Sequence, residues 1–422
     1  MPPSPHPRSI TGFLAKAKRA LVAPKSTRQA PLHLVVGNEA ADLDSFCSAF
    51  LYAYLRSHTA PNYTLHIPLA NIPHEDIHLR RDVESVFATA GVQRDQLISL
   101  SNVPGEEDLK PEDTKWILVD HNELTGPLAQ RGFGKSVVGC IDHHVDEGTV
   151  PVDTGDEPRI IRPCGSNVSL VMEYCRETWD RIAHGTGNSG EDADTTQPGS
   201  PSVAAQLARI AMGPVVADTH CLKSKSKTTP LDIETADMLE GRIKAEKLEY
   251  DREAYFDELG QLKEDITGFS YRDVLRKDYK EWTSTDQEGT QRLGVSAVPQ
   301  GFHYLLDHVG PKEDLFRDVR EWATERQLDL VSIMTVQPDG EHLARELLLC
   351  AFNKRAIITA RKFTETYAEE LHLETWGEGG KLDDYDDEDG RVEWCRCWHQ
   401  HNREHSRKQV APMLREMMKG GA

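Results

Sequence analysis

From about residue 31 to residue 265, short runs of β-branched and aliphatic residues alternate with longer amphipathic stretches. The runs predict strands at 32–37, 64–69, 115–119, 137–142, 158–162 and 213–217, apolar on both faces as buried parallel strands are. Helical periodicity occupies 44–57, 166–178 (with Ser166 as a good N-cap), 203–212, 231–248 and 252–264. Such alternation predicts an α/β fold, a doubly wound and mostly parallel sheet with right-handed crossovers. Residues 184–202, rich in glycine, serine and proline, read as a disordered insertion. Past Gly268 the texture changes. Runs at 292–298, 328–336 and 346–352 read as strands and 312–326 and 406–419 as helices, a smaller mixed α+β domain over 268–422.

A length of 422 residues suits two domains better than one core. Residues 1–30 stand apart as a basic extension with six Lys/Arg and no acid, in which Ile10–Leu21 can form an amphipathic helix. The expectation is a frayed or surface-docked segment; an organelle-targeting presequence, mitochondrial for instance, is the alternative. No apolar run approaches the ~20 residues that span a bilayer, so a cytoplasmic protein without a membrane partner is expected. The eight cysteines are scattered and read as reduced core residues. A net charge of −20 would argue against a polyanionic partner. Charges beyond about 8–10 Å are largely screened, however, so a local basic pocket can still bind an anion.

Four acidic or histidine clusters each follow an apolar run: Asn38-Glu-Ala-Ala-Asp42-Leu-Asp44, Asp120-His121-Asn122, Asp142-His143-His144 and Asp218-Thr219. The carboxyl edge of an open parallel sheet is where ligands bind. Several carboxylates and one imidazole converging there suit manganese or magnesium better than zinc. Two such cations sharing carboxylates would activate a bridging water for in-line displacement at phosphorus. A Cys395-x-Cys397-x-His399-x-His401 pattern has the wrong spacing for zinc and reads as a strand.

The ordered set Asn-Glu-Ala-Ala-Asp-Leu-Asp-Ser, Val-Asp-His-Asn, Asp-His-His and Ala-Asp-Thr resembles the DHH phosphoesterase superfamily. Ser406-Arg407-Lys408-Gln409 resembles the Ser-Arg-Lys-Gln element of the second-type DHH-associated domain. That combination is similar to family II pyrophosphatases, prune-type proteins and, most of all, the fungal cytosolic exopolyphosphatases. The resemblance implies an active site in a cleft between domains and two divalent cations, manganese or magnesium. Asp42 and Asp120 would hold one ion, and Asp44, Asp120, His143 and Asp218 the other. His144, Arg407 and Lys408 would grip substrate phosphate, with weaker candidates in Asn38, Arg81, Lys277 and Lys280. Family II pyrophosphatases have a histidine ligand where this chain has Asn38, which favours the exopolyphosphatase branch.

The expected activity is release of orthophosphate from the ends of inorganic polyphosphate by a metal-bridging hydroxide. A prune-like phosphodiesterase or short-chain polyphosphatase, a family II-like pyrophosphatase, and a catalytically silent polyphosphate-binding protein are the rivals. A monomer without a nucleic-acid partner is expected.

Overall fold

The computed structural model describes residues 4–184, 201–246, 249–287, 289–339, 342–377, 380–386 and 393–419. Most of the 184–202 segment, read above as disordered, lies outside the described residues. The chain forms two units, Met1–Lys263 and Glu264–Ala422.

The first unit begins with α1 (Ile10–Val22), then β1 (Leu32–Val36), α2 (Leu43–Ser57), β2 (His66–Leu69) and α3 (Arg81–Ala88). Next come β3 (Thr114–Val119), α4 (Gly126–Gln130), β4 (Val137–Asp142), β5 (Arg159–Ile161), α5 (Asn167–Tyr174) and α6 (Arg176–His184). It closes with α7 (Val203–Asp218), α8 (Pro230–Ala245) and α9 (Arg252–Glu264). The five strands pair in parallel in the order β2-β1-β3-β4-β5. After β1 the chain adds β2 on one side and then returns to the other, so the order reverses between β1 and β3. Ligands bind at the carboxyl ends of strands flanking such a switch point.

Residues 213–217 do not form a strand. They complete α7, which runs through Gly213 and Pro214 to Asp218. Val215 and Val216 favour strands intrinsically, but residues 210–216 are all buried, and burial in the helical layer overrides that preference. The N-terminal segment is also more than a docked extension. Ile10, Phe13, Leu14, Ala17 and Leu21 are fully buried along one stripe of α1, and the Phe13 ring packs edge-on against Tyr54 at 5.1 Å.

In the second unit, α10 (Tyr271–Lys277) leads into β6 (Tyr279–Asp286), β7 (Gly289–Val298), α11 (Phe302–His308) and α12 (Lys312–Arg326). Then follow β8 (Leu330–Asp339), β9 (His342–Ala351), α13 (Lys354–Leu371), β10 (Leu373–Thr375), β11 (Asp384–Asp386), β12 (Glu393–Gln400) and α14 (Arg407–Met418). Its mixed sheet runs β10-β12-β9-β8-β7-β6, with β11 also on β12, and only β7 and β8 are parallel. Ala360 and Phe363 of α13 share a buried core with Val410 and Leu414 of α14. Against the expectation that every cysteine is reduced, Cys350 and Cys395 stand directly opposite on β9 and β12 and are joined as a disulfide. The strand reading of 395–401 holds for β12, and that pairing leaves Cys395 no part in a zinc site.

Candidate metal centre

Asp120 is the centre of the arrangement. It follows β3 with φ of 61°, a left-handed backbone conformation that is uncommon outside glycine. Such conformations persist where the surroundings over-determine them, commonly at functional sites. Here the Asp120 amide donates to Ile141 O of the neighbouring strand (3.0 Å), which fixes the turn. One carboxylate oxygen, Oδ2, accepts from Ser45 Oγ (2.7 Å) and Asn38 Nδ2 (2.9 Å). The other, Oδ1, lies 3.1 Å from His143 Nε2 and 3.9 Å from His144 Nδ1. Asp120, His143 and His144 thus offer ligand atoms within 4.8 Å of one another, the one such group among the described residues.

Each partner is aimed by something behind it. His143 Nδ1 faces Cys164 O at 3.1 Å, so that nitrogen carries the proton and Nε2 is left to coordinate. Cys164 is in turn held by Asp232, a fully buried carboxylate that accepts from the Gly165 and Ser166 amides and from Ser169 Oγ. A Cβ at Gly165 would lie 2.6 Å from Asp232 Oδ2, so only glycine fits. His144 Nδ1 is 2.8 Å from Asp142 Oδ1, and Asp142 also accepts from Asn122. The His144 side chain is otherwise 58% exposed. At β1, a Cβ on Gly37 would come within 2.5 Å of Ser45 Cβ, which is the close approach that lets Ser45 reach Asp120.

The remaining acids surround this group. Asp42 caps α2, accepting from Ser45 N at 3.1 Å. Asp44 accepts from the Asn167 and Val168 amides at the start of α5, and from Ser166 and Ser48. Asp218 ends α7, where the helix dipole disfavours negative charge, and its Oδ2 is buried with no hydrogen-bond partner. Burial, then Asp44 and Asp42, drive the Asp218 carboxyl far above its ordinary value. Burial, and next Asp42, push Asp120 up to about 7. Burial also raises Asp44, although His143 and the α5 amides oppose it. Burial works against charge on His143, yet Asp120, Asp44 and Asp218 together raise it to about 10. Acids so short of positive charge, with one oxygen orphaned, fit divalent cations.

Other candidates fall differently. Asn38 turns its amide oxygen to the Ala40 and Ala41 amides (2.9 and 3.2 Å) and its nitrogen to Asp120, so it braces the loop. Arg80, buried, holds the same loop through the Ala40 and Ala41 carbonyls. Arg81 opens α3. In the second unit, Ser406 and Gln409 form a capping box for α14, which places Arg407 and Lys408 in its first turn. Arg407 donates to the Asp278 backbone O and carboxylate, both at 2.8 Å, while Lys408 is exposed. Lys277 is buried with its ammonium 5.3 Å from the Phe269 ring centre, and Lys280 is exposed on β6. Asn122, Asp142 and Ser45 stood within the sequence motifs but were given no role there, and Asp232 carried no signal.

Residues 33–207 match the DHH family, N-terminal domain, and residues 257–417 match the DHHA2 domain. The chain thus carries a DHH family N-terminal domain followed by a DHHA2 domain. A Schizosaccharomyces pombe protein named "Putative exopolyphosphatase" is 28% identical over 385 residues, covering 91% of this chain and 90% of that protein. Mouse "Exopolyphosphatase PRUNE1" is 24% identical over 401 residues, covering 92% of this chain and 76% of its own length. Among solved structures, a Methanococcus jannaschii "putative family II inorganic pyrophosphatase" aligns with a TM-score of 0.52 at 19% identity, over 92% of this chain and 99% of its own. That likeness shows the fold.

Proposed function

We propose that this DHH protein is a metal-dependent phosphoanhydride hydrolase that releases orthophosphate from the ends of inorganic polyphosphate. The observation that carries the reading is the Asp120–His143–His144 group at the β1/β3 switch point, ringed by acids that burial and mutual repulsion leave short of positive charge. The exopolyphosphatase names of the two relatives support the choice of substrate.

In this proposal Asp42 and Asp120 hold one divalent cation, and Asp44, Asp120, His143 and Asp218 a second. Bound there, the pair supplies the charge that activates water and neutralises phosphoryl oxygens. The chain's own part is positioning. Cys164 O and Asp232 keep His143 in its coordinating tautomer, and Asn38 and Ser45 fix the Asp120 carboxylate. His144, anchored to Asp142, presents its free ring nitrogen to the substrate phosphate. Arg407 and Lys408 add a guanidinium fork and an ammonium at a helix N-terminus, both suited to phosphate. Arg407 must leave Asp278 to do so. A monomer acting in the cytoplasm belongs to the same proposal; no helix among the described residues is long and apolar enough to cross a membrane.

Long polyphosphate, tripolyphosphate, pyrophosphate and a cyclic nucleotide assayed side by side, with magnesium or manganese, test this. Terminal phosphate release from polyphosphate is expected, stopped by EDTA. Turnover of pyrophosphate alone, or of the cyclic nucleotide alone, would move the protein to one of the rival activities. Polyphosphate binding without turnover would leave a silent binding protein.

A further inference from the structure

Arg80 lies outside the four acidic and histidine clusters, yet it grips the loop that carries the first of them. It stands where the 3₁₀ turn His74–Leu79 ends and α3 begins, and both elements fix its backbone. Its amide donates to Ile77 O (2.9 Å) and its carbonyl accepts from Glu84 N (3.0 Å). From there the buried side chain crosses to residues 39 and 40 positions earlier in the chain. Nε donates to Ala41 O (3.0 Å) and Ala40 O (3.1 Å), and Nη2 also donates to Ala40 O.

That loop needs a hold. Ala41 has φ of 46°, a left-handed conformation that a residue with a Cβ adopts only at a cost. Asn38 takes the loop from one side, its side-chain oxygen accepting from the Ala40 and Ala41 amides. Arg80 takes it from the other, through both carbonyls. All four main-chain polar groups of Ala40 and Ala41 are therefore engaged, and Asp42 follows directly. With the Asn38 oxygen committed to the loop, the cation proposed for Asp42 and Asp120 has two assigned side chains. Its affinity then depends on how firmly Asp42 is aimed.

We propose that Arg80 is a positioning residue for this cation: its guanidinium fork holds Ala41 in the left-handed turn and so aims the Asp42 carboxylate. Its charge alone would act the other way, because a guanidinium beside a cation site repels the ion. The inference rests on the metal reading above and adds a residue to it.

The test is manganese affinity of the full chain, measured by equilibrium dialysis on the wild type, Arg80→Lys, Arg80→Gln and Asp42→Asn. Thermal melts in EDTA follow the fold. Arg80→Lys keeps the charge and the aliphatic stem and loses only the fork, so it tests the geometry even where Arg80→Gln folds poorly. Both Arg80 variants are expected to bind one ion about 10–100-fold more weakly, the range usual for residues that orient a metal ligand, and the other as the wild type does. Asp42→Asn should weaken the same ion. Adding Arg80→Lys to it should leave the remaining ion unchanged, since two residues acting through one site are not additive. Unchanged affinity in the Arg80 variants, tighter binding in Arg80→Gln, or equal weakening of both ions overturns this proposal and leaves the metal reading standing. No manganese on the wild type would overturn both.

Discussion

The first unit holds its candidate site residues by many ties, the second by few. Asp120 is clamped by Ser45, Asn38 and His143, and behind His143 stands the Cys164–Asp232 anchor. Arg407 has one partner residue, Asp278, whose side chain is 48% exposed, and Lys408 stands in solvent. On the proposed roles the contrast has a physical reason. Coordinating groups must hold position to within a fraction of an ångström around a small cation, whereas cations that grip a variable chain must exchange partners. The rigid set should therefore govern turnover and the loose set affinity.

Breaking the rigid set gives the largest effect. Asp120→Asn is expected to abolish phosphate release while circular dichroism stays native, because Asn keeps the volume but loses the charge. Wild-type turnover in that variant would refute the metal assignment. Arg407→Ala comes next: a KM raised about tenfold with kcat changed much less, as loss of one charge-assisted contact implies. An equal fall in kcat with unchanged KM would place Arg407 in the rigid class instead.

A third expectation concerns stability. Burial opposes charge on Glu157, yet His66, Tyr52 and Arg56 hold its carboxyl down at about 2, against an ordinary 4.5. A depressed carboxyl stabilises the fold fully above about 4.5 and loses that contribution as pH falls through about 2. Thermal melts should drop across that window, and Glu157→Gln should flatten the drop. An identical acid profile in both proteins would show that these contacts are not coupled to folding. The smallest effect belongs to Asp278→Ala. A pair with the Asp278 carboxylate half in solvent is worth about 1 kcal/mol at most, so freeing Arg407 should lower KM about fivefold or less. A raised KM would mean that Asp278 positions Arg407 rather than competing for it.

Much of this arrangement was readable along the chain because it rests on local pattern. The apolar runs at β1, β3 and β4 are buried on both faces, and the chemistry-bearing residues follow directly. Asp218 was legible as an acid after an apolar run, but the run proved helical, since only the surrounding layer reveals that Val215 and Val216 pack as helix. The charged 18-residue α13 and the polar β6 escaped notice, as did the Cys350–Cys395 pairing, which depends on register between residues 45 apart in the chain. Long-range anchors escaped for the same reason. Asp232 looks like any helix-start acid until Gly165 and Ser166 are brought to it from 67 and 66 residues away. Asn38 read as a weaker candidate for gripping phosphate, whereas its oxygen is turned to the loop's own amides.

Manganese bound per chain, measured by equilibrium dialysis on wild type and Asp120→Asn, bears most directly on the claim that two cations share Asp120. The account predicts two ions on the wild type and a loss of at least one on the variant, since a shared carboxylate serves both. No bound manganese on the wild type, or an unchanged pair on Asp120→Asn, would contradict it.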